Sequence, residues 1–100
     1  MPKVKLNINV DATELLKVGL GFVPRNASFT ERTIDNGNGR WVSYQGDGQV
    51  VSMTFHKTKE HSATAQSRNT SKSTAGPGEW AIASVASVPF CTDKTFYDFW

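Results

Sequence analysis

Residues 40–57, RWVSYQGDGQVVSMTFHK, carry the clearest secondary-structure signal of the chain. Aromatic and β-branched residues fill both halves, and such residues are enriched in β-strands. Gly46-Asp47-Gly48 separates the halves, and these residue types tolerate the positive φ angles of tight hairpin turns. From Val51 to His56, apolar side chains alternate with polar ones, which is the period of a strand with two distinct faces. The stretch therefore predicts a β-hairpin with strands over 40–45 and 49–57.

Working outward, five more segments have the composition of strands, namely 3–10, 27–34, 60–68, 79–88 and 95–100. In 3–10 the apolar residues alternate, so one face of that strand is expected to be buried. A single helical turn is predicted over 14–18, capped by Asp11 or Thr13 and ended by Gly19. The sequence DNGNG at 35–39 predicts a turn between an N-terminal third and the rest, and the Ser/Thr-rich segment 69–78 predicts a mobile loop.

No helix of ordinary length is predicted. We therefore expect an all-β fold, a small antiparallel β-sandwich of two sheets, with an open barrel as the alternative. The chain of 100 residues is long enough for one core.

Composition excludes several classes of protein. The net charge of +2 is too weak to argue for nucleic-acid binding, although it leaves room for a local anionic ligand. The single cysteine, Cys91, excludes a disulfide scaffold and a cysteine-based zinc site. No apolar run is long enough to span a membrane. No secretory signal is recognised either, because the most apolar early stretch, 18–23, contains two glycines.

Aromatic residues are concentrated at the end of the sequence. Five of the eleven lie in the last eleven residues, namely Phe90, Phe96, Tyr97, Phe99 and Trp100. Burial of one aromatic side chain contributes about 1.5–3 kcal/mol, so this end is expected to dock as a strand rather than fray. Phe96 and Trp100 should share one face of that strand, and Tyr97 and Phe99 the other. Either both faces serve core and edge packing, or one stays exposed as a ligand surface.

Short motifs follow one another over about the last sixty residues. They are Gly39-Arg40-Trp41, Gly46-Asp47-Gly48 followed by Val51-Ser52 and Phe55-His56, the block HKTKEHSAT at 56–64, GEWAIA at 78–83 and FYDFW at 96–100. In order and spacing they resemble the lactococcin 972 family of bacteriocins. Residues 1–36 lie outside the resemblance, in the place of the family's usual hydrophobic leader, and Cys91 has no counterpart.

The resemblance implies a secreted β-sandwich protein that kills or arrests related bacteria. The family's named member binds the cell-wall precursor lipid II and blocks septum formation without opening pores. The partner implied here is thus a lipid II-like precursor of Gram-positive bacteria, with the membrane surface reached only through that ligand. A homodimer is also expected. No nucleic acid and no cofactor are expected.

Residues 56–72 are the best candidate for contact with a pyrophosphate. They hold Lys57, Lys59, Arg68 and Lys72 against Glu60 alone. A cationic stretch suits phosphate oxygens, and aromatic faces suit sugars. The alternative is a solvated hairpin whose lysines protect a sheet edge from aggregation. The candidate contact residues are Trp41, Tyr44, His56, Lys57, Lys59, Trp80, Tyr97 and Trp100.

The sequence does not predict catalysis or metal binding. His56 and His61 have no third histidine and no second cysteine to complete a metal site. We expect His61 to be a half-buried structural imidazole bonded to a neighbouring strand. No nucleophile elbow is present and the carboxylates are scattered, so the protein is expected not to be an enzyme.

The chain is expected to have two parts. Residues 1–37 are expected to be an N-terminal extension, either strands added to the core or a pro-region, and 38–100 the bacteriocin-like core. A function of another class is an alternative, a non-toxic β-sandwich interaction module or carbohydrate-binding module.

Overall fold

The hairpin at 40–57 is the centre of the structure. A computed structural model describes residues 3–22 and 29–100. In it β3 (Gly39–Gly46) pairs antiparallel with β4 (Gln49–His56), and Gly46 faces Gln49 across the two-residue turn. The turn residues Asp47 and Gly48 have φ angles of 50° and 73°. This is the left-handed conformation that the Gly-Asp-Gly sequence predicts.

The described residues form eight strands, one α-helix and one 3₁₀ turn. In chain order these are β1 (Lys3–Val4), α1 (Ala12–Leu20), β2 (Phe29–Ile34), the 3₁₀ turn (Asp35–Gly37), β3, β4, β5 (His61–Gln66), β6 (Thr70–Ala75), β7 (Trp80–Ala86) and β8 (Lys94–Phe99). The central sheet has the order β1-β7-β4-β3-β2, and the second sheet has the order β6-β5-β8. All pairs are antiparallel. The predicted all-β sandwich of two sheets is confirmed.

At β3, β4 and β7 the central sheet is buried on both faces. One face carries large side chains such as Val42, Met53 and Trp80, which pack with Leu15 and Leu16 of α1. Along β7 the other face carries small residues, Ala81 and Ala83, which pack against Ala63 and Ala65 of the second sheet. The small side chains let the two sheets approach closely, whereas the large ones fill the space under the helix.

The helix is longer than the predicted single turn. Its N-cap is Asp11, whose Oδ1 accepts a hydrogen bond from the Thr13 N–H at 2.8 Å. Gly19 does not end it; Gly21 does, with a φ of 84°. An added Cβ at Gly19 would lie 3.3 Å from Cγ2 of Ile82, so this glycine lets the helix lie close to the central sheet.

The predicted strand over 3–10 is wrong beyond its first residues. Strand β1 ends at Val4, and the Val10 N–H donates to the Asn7 carbonyl at 3.1 Å in a turn. The alternation nevertheless has its expected effect, since Leu6, Ile8 and Val10 pack against the core. Side-chain burial therefore followed the pattern, whereas strand pairing did not.

The segment 69–78 is not the predicted mobile loop. Residues Thr70–Ala75 form β6, which pairs along its whole length with β5. Ser73 and Ala75 are buried against the other layer, and Thr70, Lys72 and Thr74 face solvent. A polar sequence can form an edge strand when one face needs only small side chains. Of the predicted strand 27–34, residues 27 and 28 lie outside the described part of the chain, and 29–34 is β2.

Candidate functional site

The C-terminal aromatic strand docks as predicted. Strand β8 pairs with β5, and the Trp100 N–H donates to the Glu60 carbonyl at 3.0 Å. Tyr97 and Phe99 point inward, whereas Phe96 and Trp100 are 48% and 59% exposed. One aromatic face therefore remains on the surface.

Trp41, a candidate contact residue, lies between the two sheets. It is 8% exposed, and its indole N–H donates to Ser52 Oγ at 3.0 Å. Ser52 Oγ in turn donates to the carbonyl of Phe96 at 2.9 Å. The ring of Tyr97 lies 5.2 Å from that of Trp41. Trp41 therefore ties β8 to the central sheet and offers little surface to a ligand.

His56 is completely buried and fixes the loop that follows it. Its Nδ1 accepts hydrogen bonds from the N–H groups of Thr58 and Lys59 at 3.1 and 3.0 Å. Its Nε2 lies 2.7 Å from Oδ2 of Asp35. Because Nδ1 is an acceptor, the proton of the neutral ring is on Nε2 and is donated to the carboxylate. Both ring nitrogens are engaged, so neither is free for a ligand or a proton transfer.

His61 is fully buried, not half-buried as expected. Its Nδ1 lies 2.9 Å from the Lys59 carbonyl, and its Nε2 lies 2.7 Å from the carbonyl of Glu79, which precedes β7. The ring is bonded to neighbouring backbone, as the expected structural role requires. The ring joins the loop before β5 to the start of β7.

Two more candidate contact residues are core residues. Tyr44 is 2% exposed, and its hydroxyl donates to the carboxylate of Asp47 in the β3–β4 turn. Burial, followed by the hydrogen bond to Asp47, raises the pKa of Tyr44 to about 12. Trp80 has no exposed surface, and its indole N–H donates to the Asn7 carbonyl at 3.3 Å. The side chains of Tyr44 and Trp80 are therefore inaccessible to a ligand in this structure.

Lys57, Lys59 and Trp100 lie at one end of the sandwich, where the loop before β5 meets the end of β8. Lys59 Nζ lies 5.2 Å from the centre of the Phe99 ring and 3.5 Å from Oδ2 of Asp35. All three are exposed, and the Trp100–Glu60 hydrogen bond holds the aromatic residue beside the loop. Tyr97 is half-buried on the inward face of β8. Of the eight candidates, these three form the accessible set, which we term the lysine–tryptophan end.

Asp35 was missed as a functional residue by the sequence reasoning. Twenty-one positions separate it from His56, and its place in a glycine-rich turn indicates only a turn. The hydrogen bond from His56, assisted by the charge of Lys59, lowers the pKa of Asp35. No local spacing in the sequence could have revealed this pair, because tertiary structure alone brings it together.

Within the described residues, no group of three or more His, Cys, Asp and Glu side chains could hold a metal ion. In that same part of the chain, no helix is long and apolar enough to cross a membrane.

Comparison with known proteins places the chain in a family. A family model described as Bacteriocin (Lactococcin_972) matches residues 37–97. Comparisons with curated proteins and with solved structures gave no significant match. The matched range holds the hairpin, the His56 to Thr64 block and most of β8, and it ends before Trp100. Since the match covers more than half of the sequence, the chain belongs to the lactococcin 972 family of bacteriocins, which are secreted antibacterial proteins.

Proposed function

We propose that the protein binds a cell-wall precursor such as lipid II and blocks septum and wall formation in Gram-positive bacteria without forming pores. The observation that carries the proposal is the lysine–tryptophan end, within a chain of this family. Binding alone, with no catalytic step, would remove the precursor from wall synthesis.

The loop that bears the lysines is preorganised. The two hydrogen bonds to His56 Nδ1 fix the backbone at Thr58 and Lys59, and Lys57 N–H donates to the Asn38 carbonyl at 2.8 Å. A loop already held in place loses little conformational freedom when a ligand binds. This supports a binding role for the loop rather than a purely solvated one.

The chemistry of the end suits a pyrophosphate that carries a sugar. The ammonium groups of Lys57 and Lys59 can donate to phosphate oxygens, and the exposed indole of Trp100 offers a flat face to a sugar ring. Lys59 Nζ forms an ion pair with Oδ2 of Asp35 at 3.5 Å. An exposed ion pair of this kind contributes only about 0–1 kcal/mol to stability. A doubly charged anion can therefore draw Lys59 away at small cost.

The test is binding of a purified pyrophosphate-linked lipid precursor in detergent micelles, measured by titration calorimetry. Lys57→Gln/Lys59→Gln is expected to weaken binding roughly tenfold or more, because two charge-assisted hydrogen-bonding groups are lost. Lys5→Gln/Lys17→Gln is the matched control, since both lysines are exposed and both lie outside the loop 57–60 and strand β8. Equal affinity of the wild type and the Lys57/Lys59 variant would reject this site.

Antibacterial action is tested separately on growing Gram-positive indicator cells. The wild type should stop growth with septation defects and without leakage of a membrane-impermeant dye. The Lys57/Lys59 variant should lose this effect together with its affinity. Dye leakage at the inhibitory concentration would contradict the proposed mechanism.

One observation favours the alternative, a non-toxic carbohydrate-binding module. A polar groove of about 230 Å³ lies at the β2–β3 edge, lined by Phe29, Thr30, Ser43 and Gln45. Ligand pockets usually measure about 300–1,000 Å³, so this groove fits at most part of a sugar chain. Binding of a soluble wall glycan without pyrophosphate, lost in Gln45→Ala, together with no growth inhibition, would favour this function.

A further inference from the structure

The second sheet has an outward face, and the side chains that its two edge strands, β6 and β8, place there are exposed. In one row across this face, Phe96 of β8, Thr64 of β5 and Lys72 of β6 lie side by side. The other outward side chains of β5 and β6 are Ser, Thr and Gln, which are short or polar. Such residues make the face nearly flat, so a large side chain at its edge stands out from it.

Two aromatic residues stand out at the β8 edge. Phe96 and Trp100 lie on this face, and they are 48% and 59% exposed. Phe96 has no polar group that solvent exposure could satisfy. Among the described residues, exposed large apolar side chains also include Phe90 and Phe22. Phe90 is in the loop that leads into β8, so three of these four belong to the last eleven residues.

The positive charge of the molecule is also concentrated in the segments that contain β5, β6 and β8. Residues 57–75 and 90–100 hold five Lys or Arg and three Asp or Glu, an excess equal to the net charge of +2 of the whole chain. The rest of the chain is therefore neutral. Lys94 and Lys72 lie on the face itself, on opposite edge strands, and Asp98 is the one acidic residue among its outward strand positions. Asp98 lies between Phe96 and Trp100 and accepts a hydrogen bond from the Phe99 N–H.

From these observations we infer that the outward face of the second sheet docks directly on an anionic phospholipid surface, with Phe96 and Trp100 in the interfacial layer and Lys72 and Lys94 against the headgroups. This goes beyond the proposed function, because the contact needs no cell-wall precursor and is not made through one. Tryptophan is favoured at membrane–water interfaces, and basic side chains beside an apolar surface are attracted to anionic lipids.

A membrane explains the face better than a soluble polyanion does. A polyanion would be bound by the lysines alone and would leave the exposed Phe96 without a role. A lipid interface uses both features, since it offers apolar depth for the aromatic rings and negative charge for the lysines. Phe96 and Trp100 lie on the same face of β8, so one docked surface can take up both rings.

The experiment uses the full chain and vesicles that contain no precursor. Co-sedimentation is measured with phosphatidylglycerol/phosphatidylcholine vesicles and with phosphatidylcholine alone. Binding is expected to the anionic vesicles and is expected to fall with added salt. Of the three tryptophans, Trp41 and Trp80 are buried, so Trp100 is a natural reporter of the contact. Its emission should shift to the blue and be quenched by brominated lipids.

Two variants divide the contributions. Phe96→Ser/Trp100→Ser should reduce vesicle binding roughly tenfold or more, because the apolar surface is lost. Lys72→Gln/Lys94→Gln should reduce it by a similar factor and remove the preference for anionic lipid. The matched controls are Phe22→Ser, an exposed phenylalanine after the helix, and Lys5→Gln/Lys17→Gln. Both controls should bind as the wild type does.

The inference is overturned if the Phe96/Trp100 variant binds vesicles as well as the wild type while circular dichroism shows it folded. It is also overturned if the wild type does not bind vesicles and instead binds soluble polyphosphate through Lys72 and Lys94. Lys57→Gln/Lys59→Gln separates this inference from the proposed function. It should lose affinity for the precursor and should weaken binding to precursor-free anionic vesicles less than Lys72→Gln/Lys94→Gln does, because Lys57 and Lys59 lie in the loop before β5 and not on the outward face.

Discussion

The Nε2 atom of His56 lies 2.7 Å from the Oδ2 atom of Asp35. This pair joins the turn before β3 to the last residue of β4, and the other ring nitrogen of His56 holds the backbone of the lysine loop. The geometry of the lysine–tryptophan end therefore depends on a buried histidine that does not itself reach the surface.

Asp35→Asn is expected to lower stability and to change its dependence on pH. The folded-state pKa of Asp35 is lowered by the hydrogen bond from His56, so the carboxylate stabilises the fold above its unfolded pKa of about 3.9. This stabilisation is lost as the pH falls from about 4 through the folded pKa. The free energy of unfolding, measured by urea titration, should fall more between pH 7 and a pH below 4 for the wild type than for the variant. Parallel pH profiles would contradict the role assigned to Asp35.

His61→Ala should destabilise the protein by about 3 kcal/mol, because a cavity replaces the buried ring and the carbonyl of Lys59 or Glu79 that accepts from its one N–H loses that partner. His61→Gln should lose less, since its amide can still donate to one of them. The free energy of unfolding from urea titrations measures both. If the two variants are equally stable, the hydrogen bonds contribute little and only the volume of the ring matters.

Trp41→Phe should lower stability by about 1 kcal/mol through loss of one hydrogen bond, and Ser52→Ala by about 2 kcal/mol, because it leaves the Trp41 indole N–H and the Phe96 carbonyl unpaired. The double variant should lose less stability than the sum of the two single losses, since the two residues share a hydrogen bond. Strictly additive free energies of unfolding would show that the Trp41–Ser52 bond contributes nothing.

Gly39→Ala should cost about 1–3 kcal/mol through overpacking. An added Cβ would lie 2.7 Å from Cγ1 of Ile34 and 2.8 Å from the carbonyl oxygen of Phe55. Gly76→Ala is the matched control, because the nearest atom would be Oε1 of Glu79 at 3.7 Å. Thermal unfolding should separate the two variants, and a Gly39 variant as stable as the control would show that the β2–β3 edge can relax.

Tyr44→Phe should remove part of the loss of stability at alkaline pH. The folded-state pKa of Tyr44 is raised to about 12, chiefly by burial, above an unfolded value of about 10. The stabilisation is complete below pH 10 and is lost as the pH rises towards 12. Chemical unfolding at pH 9 and pH 11 should show a smaller decrease for the variant, and an identical decrease would assign the effect to other groups.

Sequence reasoning failed where local composition and tertiary packing disagreed. The polar segment 69–78 contains β6 because β5 supplies its hydrogen-bonding partners, and the local sequence of 69–78 does not show that these partners are present. The alternating segment 3–10 does not continue as a strand, since it bends at Asn7 and places its apolar side chains over the core by another path. Residue type predicts Trp41, Tyr44, His56 and Trp80 as contact residues, but it does not distinguish a buried aromatic ring from an exposed one, and all four are buried.

The sequence by itself determined the antiparallel sandwich, the central hairpin with its Asp47-Gly48 turn, the alternation of β8 and the family, because these depend on local period, on turn chemistry and on the order of short motifs. The tertiary structure alone decided which aromatic and cationic side chains reach solvent. That choice depends on which face of each strand the other sheet and the helix cover, and the covering residues are far away in sequence.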